Sequence, residues 1–232
     1  WLSSKEQWQC KHCRFRTTLK SGTMLESSKL SFRIWYLAIA FMSYSKKGLS
    51  ALELQRQLGY KNYHPIWSMM HKIIASMGKR DGLYNLEDMV EYDEAYFSIA
   101  TKEPINLKRG KGSQKKQNVA VMAESVPLED LKTGKQQKHC RYFKMKVLPN
   151  HKSDSVDKSI EDNILDKGIV FSDKSTSYIN ISDFVEIHVT EKSNKQTTVS
   201  TLKWVHIAIS NAKRTLLGIY HKIKGKYLQN YL

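Results

Sequence analysis

Two aspartates in this sequence stand where a β-sheet would present them to one site. Asp93 lies within the apolar segment Val-Glu-Tyr-Asp-Glu-Ala-Tyr-Phe, where a charge is costly unless a partner or a metal ion compensates it. Asp173 closes the segment Gly-Ile-Val-Phe-Ser-Asp, at a predicted sheet edge. Because neighbours on a strand point to opposite faces, only one of Asp93 and Glu94 can join Asp173. The alternatives to a shared site are that Asp93 forms an ion pair with a lysine and that Asp173 caps the turn that follows it.

His206 and Lys213 are the candidate third and fourth groups. A spacing of about two helical turns would put them on one face of a helix. A neutral histidine nitrogen can bind a divalent ion, and a lysine can hold a phosphate of the strand being cut. The alternative is a histidine at a helix boundary beside a solvated lysine.

These residues together predict phosphodiester chemistry with two divalent ions. Such ions activate a water or a 3′-hydroxyl on one side of the phosphorus and stabilise the leaving oxygen on the other, in an in-line displacement. Carboxylate ligands favour Mg²⁺, while Mn²⁺ is a substitute that better tolerates a nitrogen ligand. Asp93, Asp173 and His206 are the predicted ligands.

A second metal site is indicated by the pair Cys10 and Cys13, which has the spacing of a zinc knuckle. A closed tetrahedral site needs four ligands, and no cysteine or histidine precedes Cys10. The sequence therefore predicts half of a zinc ribbon, or else two unliganded cysteines in a short hairpin.

The charge balance predicts a polyanionic partner. Thirty-eight Lys and Arg residues against 22 Asp and Glu give a formal net charge of +16, which attracts phosphates, although a merely solvated basic surface is the alternative. No membrane partner is expected, because the longest apolar stretch, residues 34–42, is about half of a bilayer crossing. The predicted DNA contacts are a hairpin loop with Lys108, Arg109, Lys111, Lys115 and Lys116, together with Lys213 and Arg214.

The hydrophobic periodicity predicts two kinds of structure. Three helices are expected within residues 31–77, where Ser50 and Glu53 form a capping box and Pro65 begins the last helix. This is a helix-turn-helix or a plain packed helix pair. A mixed α/β sheet is expected next, with strands at 89–99, 118–124, 141–148, 168–172 and 185–189, and helices at 153–165 and 198–220.

Six segments in a fixed order resemble the insertion-sequence transposases of the ISXO type. They are Trp-Gln-Cys-Lys-His-Cys, Ser-Gly-Thr-Met-Leu-Glu-Ser-Ser-Lys-Leu, Val-Glu-Tyr-Asp-Glu-Ala-Tyr-Phe, Lys-Arg-Gly, Phe-Ser-Asp-Lys-Ser-Thr-Ser-Tyr and Ser-Asn-Ala-Lys-Arg-Thr-Leu-Leu-Gly-Ile-Tyr-His. Members carry an N-terminal zinc ribbon and a ribonuclease-H-like DDE core. The resemblance places the family's acids at Asp93 and Asp173, its third ligand at His206 and its last-helix lysine at Lys213. Glutamate or asparagine is usual at the third position, so His206 is a departure.

The resemblance implies a DNA transposase that cleaves and joins the ends of its insertion sequence. Its expected partners are double-stranded DNA, as terminal inverted repeats and target, and further copies of itself. Its expected location is the cytoplasm, on the nucleoid, and Zn²⁺ is expected in the full-length protein. The implied parts are a partial zinc ribbon at 1–28, a helical DNA-binding region at 29–80 and the catalytic domain at 86–232. The rival functions are a non-catalytic DNA-binding protein derived from a decayed transposase and, third, a structure-specific nuclease.

Overall fold

The chain divides into two compact units, Trp1–Lys79 and Arg80–Leu232. The computed structural model describes residues 1–45, 48–100, 113, 115–129, 134, 136–192, 194, 200–221 and 223–232. Within these residues no helix has the length and apolarity needed to cross a bilayer. The division into three parts at residues 28 and 80 stays a prediction.

The first unit is a small hairpin followed by three helices. A 3-10 helix, Ser3–Lys5, precedes strands β1 (Trp8–Gln9) and β2 (Arg16–Thr17), which pair antiparallel. The helices are α1 (Phe32–Tyr44), α2 (Ala51–Gln57) and α3 (Tyr63–Asp81). Their apolar faces supply the buried side chains of this unit, among them Trp35, Ala38, Leu54, Ile66, Met69, Met70 and Ile73. The three predicted helices are therefore confirmed.

The ends of these helices differ in detail from the prediction. Helix α3 begins before Pro65, because a proline in the first helical turn lacks only an N–H that would have no partner there. It also runs past Gly78, which costs about 1 kcal/mol relative to alanine but does not end a packed helix. At α2 the Glu53 N–H donates to the Ser50 hydroxyl at 3.1 Å, whereas the Glu53 carboxylate accepts from Gln57 and Arg56. One half of the predicted capping box is formed.

The second unit is built on a five-stranded mixed sheet with the strand order β5-β4-β3-β6-β7. Strands β3, β4 and β5 pair antiparallel, while β6 and β7 run parallel to β3. The strands are β3 (Met89–Ser98), β4 (Lys116–Glu129), β5 (Gln136–Val147), β6 (Ile169–Asp173) and β7 (Ile187–Glu191). Helix α4 (Ser153–Glu161) follows β5, helix α5 (Lys203–Ile219) follows β7, and 3-10 helices lie at Thr176–Tyr178, Ile181–Asp183 and Gly225–Tyr231.

Strand β3 is central and is covered on both faces. Val90 and Tyr92 belong to one core, which contains Val156 and Ile160 of α4. The alternate residues Ala95 and Phe97 belong to the other core, which contains Val205, Ile209 and Leu216 of α5. Because side chains alternate along a strand, the odd-numbered residues of β3 face α5 and the even-numbered ones face α4.

The predicted element boundaries were wrong in several places. Strands β4 and β5 are longer than predicted, so Lys116 begins β4 rather than lying in the loop. Strand β7 begins at 187 instead of 185, and α5 begins at 203 instead of 198. Helix α4 ends at 161 because the next residues pair with another segment: the Leu86 N–H donates to the Asn163 carbonyl at 2.8 Å and the Leu165 N–H to the Leu86 carbonyl at 2.9 Å.

The outer edge of the sheet carries a side-chain amide in place of a further strand. Gln229 lies in the last 3-10 helix, beside β5. Its Oε1 accepts the Val147 N–H at 2.8 Å, and its Nε2 donates to the Met145 carbonyl at 2.9 Å. One glutamine thus satisfies two outward backbone groups at the end of β5 as a neighbouring peptide unit would.

Candidate active site

Asp93 lies on the α5 face of β3, with its side chain 18% exposed. The last pair of the parallel β3–β6 register is Glu91 with Phe171, and Asp93 and Asp173 each lie two residues further on. They are therefore level with one another on the same face of the sheet. Glu94 points the other way, where its carboxylate accepts from the Asn118 amide at 3.0 Å. Only one of the two adjacent acids faces Asp173, as predicted.

His206 lies in the first turns of α5, and its Nε2 is 3.9 Å from Oδ2 of Asp93. This distance is too long for a hydrogen bond. Burial lowers the pKa of His206, and the nearby Asp173 carboxylate only partly opposes that effect. The imidazole is therefore mainly neutral at neutral pH, so His206 and Asp93 do not form an ion pair there. A neutral ring nitrogen is then available to bind a metal ion.

Asp93 carries a charge that the fold does not favour. Burial raises the pKa of Asp93 to about 6, against the hydrogen bond from the Glu94 N–H at 2.8 Å, which lowers it. The Asp173 and Glu94 carboxylates raise this pKa further, while the Lys213 ammonium lowers it. The site thus concentrates negative charge at a partly buried point of a basic protein, and a bound cation would compensate this charge.

The donor set of Asp93, Asp173 and His206 fits a divalent ion such as Mg²⁺ or Mn²⁺ by chemistry and charge. Across the described ranges, no three His, Cys, Asp or Glu side chains are arranged to hold a metal ion as they stand.

Lys213 lies two turns beyond His206, and its Nζ is 5.7 Å from the centre of the Phe97 ring. Since His206 adjoins Asp93 and Lys213 adjoins Phe97, α5 runs along β3 in the same direction. Lys115 and Lys116 are exposed near this end of β3, where Lys116 pairs with Ser98. The remaining predicted DNA contacts divide into Arg214, which is exposed, and Lys108, Arg109 and Lys111, which lie outside the described residues.

Two further acids on this face were missed by the sequence analysis. Glu91 is fully buried, and its carboxylate accepts N–H groups at the start of α5. Glu191 of β7 is paired with Asp173 of β6, and its carboxylate accepts from the Thr201 hydroxyl at 2.8 Å. The spacing of two between Glu91 and Asp93 was a usable signal, because it places both on one strand face. For Glu191 the sequence contains no such signal, since its position depends on the register between β6 and β7, two strands that are separated in sequence.

Cys10 and Cys13 lie in the loop that joins β1 and β2, and both are exposed free thiols. Backbone N–H groups of Cys13 and then His12 hold the pKa of Cys10 below its usual value. A thiolate is the form that binds zinc, so the loop suits one half of a zinc site. Zinc binding by this pair stays a prediction.

The raised pKa of Asp93 predicts a pH-dependent stability cost in metal-free buffer. As the pH rises from 3.8 to about 6, the unfolded chain ionises first and the folded protein loses stability. Wild type should therefore become less stable than Asp93→Asn above pH 6, by roughly 3 kcal/mol at most. Urea unfolding at several pH values, followed by NMR signals of the second unit, measures this difference. A difference that does not vary with pH would contradict the prediction.

The mixed sheet, with acids on adjacent strands and the last long helix across the same face, is consistent with the ribonuclease-H-like core of a transposase. A family model described as the ISXO2-like transposase domain matches residues 85–232, and the chain belongs to this family. Membership implies DNA as the partner and divalent metals as the family's general cofactors. A search of curated proteins finds no match to the chain.

Proposed function

We propose that this protein is a DNA transposase that cleaves and joins DNA at the ends of its insertion sequence with two divalent ions. Asp93, Asp173 and His206 would hold the ions. The observation that carries the proposal is the partly buried Asp93 carboxylate, level with Asp173 and 3.9 Å from a His206 nitrogen. Bound Mg²⁺ or Mn²⁺ would activate the attacking oxygen and stabilise the leaving one.

The chain's own residues contribute by orientation and charge. Asp93 and Asp173 supply two carboxylates from adjacent strands, which the sheet holds at a fixed separation. His206 supplies a neutral nitrogen because burial keeps its pKa low. Lys213, on the same helix, supplies a positive charge for a phosphate of the bound strand, while Lys115, Lys116 and Arg214 contact the backbone without reading its sequence.

The decisive experiment incubates the protein with end-labelled DNA carrying the terminal inverted repeats and with Mg²⁺ or Mn²⁺. We expect nicking at one defined phosphate, followed by joining of the freed 3′-hydroxyl to target DNA. DNA binding without any cleavage in either metal would favour the non-catalytic DNA-binding protein, while cleavage without joining at many structured sites would favour a structure-specific nuclease.

A Lys213→Ala substitution is expected to raise the KM for short end duplexes by about tenfold, because a charge-assisted phosphate contact contributes about 1.4 kcal/mol or more. Steady-state cleavage over a range of DNA concentrations measures this change. Lys158→Ala is the control, since Lys158 lies on α4, on the opposite side of the sheet. Equal KM values for Lys213→Ala and wild type would remove Lys213 from the binding site.

A further inference from the structure

Glu91 is a fully buried carboxylate two residues before Asp93 on the same face of β3. Its Oε2 accepts the Trp204 N–H at 2.7 Å and the Val205 N–H at 3.0 Å. These are the second and third residues of α5. The first turn of a helix leaves its N–H groups without partners inside the helix, and a negative acceptor there also complements the helix dipole.

Helix α5 has no capping side chain of its own. Leu202, which precedes the helix, makes no side-chain cap, and the first turn contains no acidic residue. Glu91 supplies the cap from the sheet, at a sequence separation of 114 residues from Val205. Because both hydrogen bonds are directional and share one acceptor oxygen, they fix where α5 starts along β3 and how far it is rotated about its axis.

His206 directly follows the capped residues, so the position of its ring depends on this attachment. Its Nε2 lies 3.9 Å from Asp93, and Asp93 is on the strand that carries Glu91. The α5 residues Val205 and Ile209 also pack against the sheet. Such apolar contacts would let the helix slide or rotate slightly, whereas two hydrogen bonds to one oxygen would not.

We propose that Glu91 is a positioning residue, which holds the first turn of α5 so that His206 lies beside Asp93. The inference rests on the proposed function in so far as His206 acts at the site. Glu91 contacts neither DNA nor metal in this role, and it acts through His206. The acceptor atom dominates this role, and the negative charge adds only the smaller interaction with the helix dipole.

Three substitutions at position 91 separate the effect of side-chain length from the effect of side-chain charge. Glu91→Gln keeps an acceptor oxygen at full reach and removes the charge, whereas Glu91→Asp keeps the charge and is one methylene too short. Glu91→Ala removes both. We expect Glu91→Gln to behave like wild type, and Glu91→Asp and Glu91→Ala to share one defect. Glu124→Ala is the matched control, because Glu124 is a buried carboxylate that accepts the Glu87 N–H at 2.9 Å from the other face of the sheet.

The first measurements need no metal. Amide exchange at Trp204 and Val205 should be about tenfold faster or more in Glu91→Asp and Glu91→Ala than in wild type. NMR contacts between the His206 ring and the Asp93 methylene should be present in wild type, Glu91→Gln and Glu124→Ala, and lost in the other two variants. Retention of these contacts in Glu91→Asp would overturn the inference even if Glu91→Ala fails to fold.

The second measurements use Mn²⁺. Glu91→Asp should bind Mn²⁺ about tenfold more weakly by calorimetry and should lower the kcat of cleavage with little change in the KM for DNA. A loss in Glu91→Gln as large as that in Glu91→Asp would overturn the positioning role and make Glu91 a ligand. If wild type neither binds Mn²⁺ nor cleaves, the proposed function fails, and the metal-free contacts alone then decide the role of Glu91.

Discussion

Asp93→Asn is expected to lower Mg²⁺-dependent strand cleavage by about 1000-fold or more. A ligand carboxylate contributes several kcal/mol of transition-state stabilisation through the ion that it holds, and about 1.4 kcal/mol corresponds to a factor of ten. The change keeps the shape of the side chain and an oxygen to accept the Glu94 N–H, so the fold and DNA affinity should persist. Single-turnover cleavage and a gel-shift titration on the same end duplex measure both quantities.

The matched control for this experiment is Glu94→Gln. Glu94 is the next residue along β3 and has the same kind of charge, but it faces Asn118 on the opposite side of the sheet. We expect cleavage by Glu94→Gln to remain within about fivefold of wild type, since a charge behind the strand acts on the site only at a distance. If both variants lost activity equally, the loss would reflect damage to β3, and the assignment of Asp93 would fail.

His206→Ala is expected to lower cleavage by about 100-fold or more, and His206→Glu to restore it with Mg²⁺. The alanine variant lacks the proposed third donor, and loss of a metal-site group costs several kcal/mol of stabilisation. Glutamate supplies an oxygen, which Mg²⁺ prefers to nitrogen, so wild type should show the larger ratio of Mn²⁺ to Mg²⁺ activity. Cleavage rates in a series of both metals test this shift.

The control for His206 is Ile207→Ala, since Ile207 is the neighbouring residue of α5 and is 40% exposed. It should cleave like wild type. Full activity of His206→Ala in both metals would show that the histidine is not a ligand, and the site would then consist of the two aspartates and a group not yet assigned.

The five strands and their succession along the chain could be predicted because each has an apolar centre bounded by polar residues, whereas their spatial order in the sheet was not predicted. Their lengths could not be predicted, because β5 begins with the polar residues 136–139 and Pro127 interrupts the end of β4, and the backbone ladder between the two strands holds both ends. Asp93 could be found because a charge inside an apolar strand needs a cause. The start of α5 could not be found, because the cap that defines it is Glu91, a residue of another element.

The glutamine that borders β5 limits how copies of this protein can assemble. A second molecule that added a strand beside residues 145 and 147 would have to take over the hydrogen bonds of Gln229. That exchange would gain few new bonds and would first require the C-terminal turn to detach. Any multimer on DNA is therefore expected to form through surfaces other than this end of β5, or only after the turn around Gln229 is released.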